Sequence, residues 1–187
     1  MPAIRIMIIR HAEKPGGKTK GVNHAGAEDK EELIVRGWQR SGALVRLFDP
    51  RGGKFFDRRL ERPATIFASR AGVHSKSLRP QHTVHALANK LGLKLDLRFP
   101  KGEEDDLAAA AMAAKGPVLI AWEHEAIPKI ANAIVGDVTT CPQRWKGTRF
   151  DLVWVFHRKK DGHRWRFAQV PQMLLPGDSK APIVELA

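Results

Sequence analysis

Ile4-Arg5-Ile6-Met7-Ile8-Ile9-Arg10-His11-Ala12-Glu13 is the stretch from which the fold is read. Nearly unbroken apolar sequence ends abruptly in an arginine and a histidine, and a polar, glycine-rich segment follows. A strand apolar on both faces belongs in the middle of a parallel sheet, where helices cover each side. In open α/β sheets, ligands bind beyond the carboxyl ends of the strands. A guanidinium and an imidazole at such an end are well placed to act on an anion. An Arg-His pair standing alone is more often merely solvated, so the reading turns on the partners that the rest of the chain supplies.

Outward from that stretch, a long polar loop, roughly Ala12 to Lys30, carries Gly16, Gly17, Gly21 and Gly26 with Asn23 and His24. Loops of this length inside a domain are commonly functional. Ile34, Trp38, Val45 and Phe48 then share one helical face, and Asp49-Pro50 ends the helix. Ala64 to Ala68 reads as a short buried strand ending at Ser69. A second helix is expected from Ser75 or Ser77, either of which could cap it, with Val84, Leu87, Ala88 and Leu91 inward and Gly92 as its stop. Leu93 to Phe99 reads as a third strand. Glu103-Glu104-Asp105-Asp106 opens an alanine-rich helix that Lys115-Gly116 closes.

Pro117 to Trp122 is a further buried strand. Behind it, Ile127, Ile130, Ala131 and Ile134 mark a helix that tolerates Pro128 only in its first turn. Asp151 to Phe156 and Arg164 to Val170 read as strands of a hairpin turning at Asp161-Gly162, and the proline-bearing remainder as an irregular surface segment. The alternation predicts one layered α/β/α domain over residues 1–187, its sheet mostly parallel with an antiparallel edge.

Composition narrows the field. There are 32 basic and 20 acidic residues, a net charge of +12, and a pI near 10.3. That balance favours anionic partners without choosing among them. The cations are scattered, with no aromatic-interleaved RNA-binding signature and no basic tail, so no specific nucleic acid is expected. The lone Cys141 excludes an internal disulfide and a cysteine-rich zinc site. No stretch approaches the ~20 apolar residues of a membrane span. No basic segment followed by a long apolar core opens the sequence, so a signal peptide is not expected and a cytoplasmic location is.

Two strands thus deliver histidines just past their carboxyl ends, His11 with Arg10 beside it, and His124. A third ends at Ser69 and leads into the helix carrying Arg79 in its first turn. Two imidazoles, two guanidiniums and helix N-termini facing one point suit a tetrahedral dianion, and histidine is a competent nucleophile for phosphoryl transfer.

At these residues the chain resembles the histidine phosphatase superfamily, the phosphoglycerate mutase-like enzymes. Ile8-Ile9-Arg10-His11-Ala12-Glu13 matches its Arg-His-Gly opening, with Ala12 in place of glycine. Ser75-Lys76-Ser77-Leu78-Arg79-Pro80-Gln81-His82-Thr83 matches its Ser-x-x-x-Arg-x-x-x-Thr block. Trp122-Glu123-His124 matches a buried strand followed by histidine. Leu33-Ile34-Val35-Arg36-Gly37-Trp38-Gln39 resembles its Leu-x-x-x-Gly-x-x-Gln helix entry. The four blocks span roughly Ile4 to Ile134 in the family's order. The resemblance implies a phosphoglycerate mutase-like fold, no cofactor and no metal. It makes His11 the nucleophile of a phosphohistidine intermediate, with Arg10, Arg79 and His124 binding the phosphoryl oxygens. The implied partner is a small phosphorylated substrate or a phosphoprotein. A mutase of the same family and a non-catalytic phospholigand module are the alternatives, and a basic RNA-associated protein rests on charge alone.

A proton donor to the leaving group needs a raised pKa. Glu125, directly after His124, is preferred. Glu103, Glu104, Asp105 and Asp106 are alternatives by position, and a good leaving group would need no donor. Asn23, Ser69, Arg70 and Glu103 are candidate substrate contacts. None of the other histidines, His74, His82, His85, His157 and His163 among them, has metal-ligand spacing, and His82 and His85 are read as structural. The five tryptophans are read as core and edge packing.

Overall fold

Alternating side chains along the opening strand find apolar cover on both sides, and the fold follows from that. In the computed structural model, which describes residues 4–73, 75–159, 162 and 164–184, β1 is Arg5–Arg10. Ile6 and Ile8 point into one core, Met7 and Ile9 into the other, and all four are fully buried. The sheet has five strands in the order β2-β3-β1-β4-β5, with β2 Thr65–Ala68, β3 Val118–Trp122, β4 Leu152–His157 and β5 Arg166–Pro171. β2, β3 and β1 are parallel, whereas β4 and β5 run antiparallel. Helices α1 (Val35–Phe48) and α2 (Arg79–Leu91) cover the Met7 face. Helices α3 (Glu104–Ala113) and α4 (Ile127–Val135) cover the Ile6 face. The architecture is the expected three-layer α/β/α one with a parallel core.

Several expectations need correction. Residues 93–99 do not form a strand of the sheet. They run beside β2 through isolated pairings, with Asp96 N–H donating to Ile66 O at 2.9 Å and Ala68 N–H to Asp96 O at 3.2 Å. The Asp96 carboxylate accepts the Arg98 N–H, and the next pairing is again an isolated one, Arg70 N–H donating to Phe99 O at 3.1 Å, so no continuous ladder forms. Neither Ser75 nor Ser77 caps α2. Ser75 closes a tight turn with Gly72, and the helix starts at Arg79 with Pro80 in its first turn, where proline's missing N–H costs nothing. Gly92 does end it, left-handed at φ 66°.

The buried face of α1 is Gly37, Arg40, Ser41, Leu44, Leu47 and Phe48, so of the expected Ile34-Trp38-Val45-Phe48 line only Phe48 lies fully inside and the others are half-buried. Arg40 explains the difference, because a guanidinium can be buried when carboxylates meet it. The tail is irregular and mostly at the surface, as expected, but it is tied to the sheet. Gln169 and Ile183 exchange side-chain to main-chain bonds of 2.8 Å, and Gln172, Ile183 and the Asp178 side chain are buried. Of the hairpin turn, Asp161 lies outside the described residues, as do His74 and His163. Trp122, Trp145, Trp154 and Trp165 are buried and Trp38 half-buried, so the tryptophans pack as expected. Among the described residues no helix is long and apolar enough to cross a membrane.

Candidate active site

β1 and β3 lie side by side in parallel register, with Arg10 opposite Trp122. One step further the His11 N–H donates to Trp122 O at 2.9 Å, which brings His11 beside Glu123 and His124. His11 is only 4% exposed, and its Nδ1 lies 2.7 Å from the Ala12 carbonyl oxygen. A carbonyl can only accept, so Nδ1 carries the proton and Nε2 keeps its lone pair. Burial, and then the positive charges of Arg10, Arg79 and Lys14, press its pKa down to about 3, with the Ala12 bond opposing them. The imidazole is therefore neutral at physiological pH, the form a nucleophile needs.

Arg10 is completely buried. Its Nη1 donates to the carbonyls of Gly147 (2.5 Å) and Arg149 (3.1 Å), and the guanidinium lies 3.8 Å from the Phe150 ring centroid. Nε and Nη2 have no partner within the described chain. Burial, the largest effect, pulls its pKa down to about 10, which leaves it charged. Arg79, at the start of α2, donates from Nη1 to Lys30 O at 2.8 Å, while its buried Nε is likewise without a partner. Unpaired buried cationic donors are costly unless an anion meets them. His124 is half-buried, its pKa lowered to about 4 by burial and by Arg10. His124 also lines, with Glu125, Pro128, Arg144 and Gly147, a hollow of about 370 Å³.

The sequence blocks acquire physical roles. The Thr83 hydroxyl accepts the Ala12 N–H at 2.7 Å and donates to Arg79 O at 2.7 Å, so it ties the His11 loop to the helix that carries Arg79. Gly37 fits against the same loop, because a Cβ there would stand 2.6 Å from Glu13 O and 3.1 Å from Glu13 N. Gly37→Ala must push that loop away. A loss of about 1–3 kcal/mol is expected, read from urea denaturation together with reduced turnover.

Among the carboxylates, structure and expectation part. Glu125 is exposed and bonded to Lys101 at 3.3 Å, and that bond first of all holds its pKa below the ordinary value. Glu103 is exposed at the N-cap of α3, with no side-chain capping bond. Glu104 accepts from Gly102 N–H, Trp122 Nε1 and Lys129, and Asp105 pairs with Lys129, as befits a helix start. Glu123, not singled out as an acid from the sequence, is 8% exposed, and neither carboxylate oxygen has a hydrogen-bond partner among the described residues. Burial raises its pKa despite the proximity of Lys101 and the Ser69 hydroxyl. Its position directly after Trp122, which continues the β1–β3 register to His11, was the available signal.

Ser69 is buried at the end of β2, and its carbonyl accepts from Gln81. Arg70 is exposed and carries no part of the buried arginine pair. The Asn23 side-chain oxygen accepts the N–H groups of Ala25 and Ala27, which organises its own loop. Gly147 to Phe150, which cradle Arg10, had no sequence signal, lying more than 130 residues away. His82 pairs with the buried Glu32 and lies against Trp38, a structural placement. Among the described residues no cluster of His, Cys, Asp and Glu could hold a metal ion.

No family model and no curated protein matches the sequence. Solved structures do resemble the fold. A mycobacterial glucosyl-3-phosphoglycerate phosphatase aligns with a TM-score of 0.56 at 14% identity, covering 88% of this chain and 96% of its own. A protein of Agrobacterium tumefaciens assigned as the phosphohistidine phosphatase SixA gives 0.50 at 16%, with the same coverages. A phosphoserine phosphatase of Entamoeba histolytica gives 0.50 at 12%, covering 91% and 98%. The chain accordingly has the phosphoglycerate mutase-like fold of the histidine phosphatases.

Proposed function

We propose that this chain is a phosphatase that hydrolyses a phosphomonoester or phosphoamidate through a phosphohistidine on His11. The observation that carries the reading is the His11 imidazole, buried, neutral and bonded through Nδ1, so that Nε2 is free to attack, with unpartnered Arg10 and Arg79 donors beside it. Nε2 attacks phosphorus, and the bond from phosphorus to the leaving oxygen or nitrogen breaks. Arg10, Arg79 and His124 take up the charge of the transferring phosphoryl group, the electrostatic work that dominates this chemistry. Water then attacks phosphorus, the P–Nε2 bond breaks with its electron pair returning to Nε2, and phosphate leaves. A dianion between the cations also offsets the like-charge field that depresses both histidines. The charge needed at phosphorus is supplied by side chains, and the reaction is proposed to run without metal. The named substrates of the structural neighbours share a phosphoryl group and differ beyond it, which supports a general phosphoryl pocket.

Glu123 is the better proton donor. Its carboxyl, buried and without a partner, favours the neutral acid, whereas Glu125 is held ionised by Lys101. Protonated Glu123 hands its proton to the departing oxygen, and its carboxylate receives one from the attacking water. Because the raised pKa belongs to the acid form, turnover falls as pH rises through it. Glu123→Gln should slow an alkyl phosphate by about 10²- to 10³-fold, leave an aryl phosphate nearly unaffected and remove the alkaline limb. Equal losses on both substrates would exclude a donor role.

The reading is tested by incubating the protein with a labelled phosphomonoester in the presence of a chelator and quenching in base, where phosphohistidine survives. Label on the peptide containing His11 is expected. Steady turnover with no label on that peptide, or turnover stopped by the chelator, overturns it.

A further inference from the structure

At the opposite end of β1 from His11, roughly 20 Å along the strand, the fold gathers cations that are far apart in sequence. Arg5, Phe56, Asp57, Arg58, Arg59, His157 and Arg166 line a hollow of about 700 Å³. A second hollow of about 310 Å³ shares His157 and Arg166 with it and adds Arg158, Lys159 and Arg164. Joined through those shared residues they make one groove with six arginines in its described lining, where Asp57 is the lone carboxylate. Asp57 is already engaged by Arg59 through two bonds, and Arg5 by Glu61. Arg58, Arg164 and Arg166 are exposed, with no ion pair among the described residues. The His157 Nδ1, in the lining of both hollows, is buried and has no hydrogen-bond partner among the described residues.

Two features narrow the ligand. Arginine outnumbers lysine in the groove, and its planar fork matches phosphate oxygens. Phe56 is 64% exposed amid the guanidiniums. A large aromatic face left in water between cations suits a nucleobase, which stacks on the ring while its phosphates meet the arginines. An acidic peptide would use the charges and leave that ring without purpose. A duplex would keep its bases stacked away from it. We infer that this groove binds single-stranded nucleic acid without sequence preference, at a site separate from the His11 pocket.

Fluorescence anisotropy with a labelled twelve-nucleotide oligouridylate tests this on the full chain, with inorganic phosphate present at constant ionic strength to occupy the His11 pocket. Raising salt from 50 to 200 mM should weaken binding about 50-fold if four phosphates are neutralised. Arg58→Glu combined with Arg166→Glu should weaken it at least about tenfold, and Phe56→Ala also about tenfold, with melting curves unchanged. Charge reversal of Lys18 and Lys20, in the loop beside the other end of the sheet, should have little effect. The inference fails if the Lys18/Lys20 reversal weakens binding as much as the groove reversal. It also fails if Phe56→Ala binds like the parent, or if polyglutamate of equal charge binds as tightly as the RNA.

Discussion

His11→Ala is expected to reduce turnover by roughly 10⁴- to 10⁶-fold, the loss typical of removing a catalytic nucleophile. The substitution deletes Nε2 but leaves both guanidiniums, whose orientation comes from elsewhere. Arg10 is held by Gly147, Arg149 and Phe150, and Arg79 by Lys30. Orthovanadate or phosphate should therefore still bind the variant. A purely anion-binding module would lose little affinity and would have had no turnover to lose, so paired measurements of turnover and phosphate binding separate the readings.

The same substitution has a signature in stability. The native pKa of His11 is depressed to about 3 from 6.5, so the unfolded chain binds the extra proton. Stability consequently rises with pH between those values and declines as pH falls from about 6.5 toward 3. Deleting the imidazole removes that contribution. His11→Ala should be less acid-sensitive than the parent across this window, measured as denaturant midpoints at successive pH values.

Arg40→Ala should cost about 3–5 kcal/mol, because removing one member of a buried ionic network strands the others. Arg40 is 2% exposed and reaches Glu13 (2.8 Å), Asp178 (2.7 Å) and Gln172 (3.0 Å) at once. For a chain of this size the loss corresponds to a melting temperature lower by about 6–20 °C. Glu13 stands two residues beyond His11, so the network also fixes the loop that follows His11. Turnover should fall in Arg40→Ala even at temperatures where the variant is folded. Burial disfavours the Asp178 carboxylate, but the bonds from Arg40 and the Leu174 and Leu175 N–H groups outweigh it and hold the pKa below 3.8. That contribution is present above pH 4 and disappears as pH falls through the lowered value. A melting temperature within a degree or two of the parent would contradict this assignment.

What could be read in advance followed a physical line. Apolar runs such as Ile6 to Ile9 and Val118 to Trp122 announced central strands because burial on both faces demands unbroken apolar sequence. Residues 93–99 misled, because their alternating leucines need only one covered face and that edge was met by β2 at isolated points. The α1 face misled for the opposite reason: hydrophobicity does not mark an arginine that becomes buried by ion pairing. Glu125 drew attention by adjacency to His124, whereas Glu123 shares the register of His11 and lies inside.

By itself the sequence determined the layered α/β class, the positions of His11, His124 and Arg79 at strand and helix ends, and the family resemblance. Those are local properties of periodicity and spacing. Only the tertiary structure decided the His11 tautomer, the unpartnered donors of Arg10 and Arg79, and which glutamate is buried. It alone brought Asp178 to Arg40 and drew Arg5, Arg58 and Arg166 into one groove. Those outcomes depend on burial and on contacts across more than a hundred residues, and neither desolvation nor long-range contact is encoded in the spacing of neighbours along the chain.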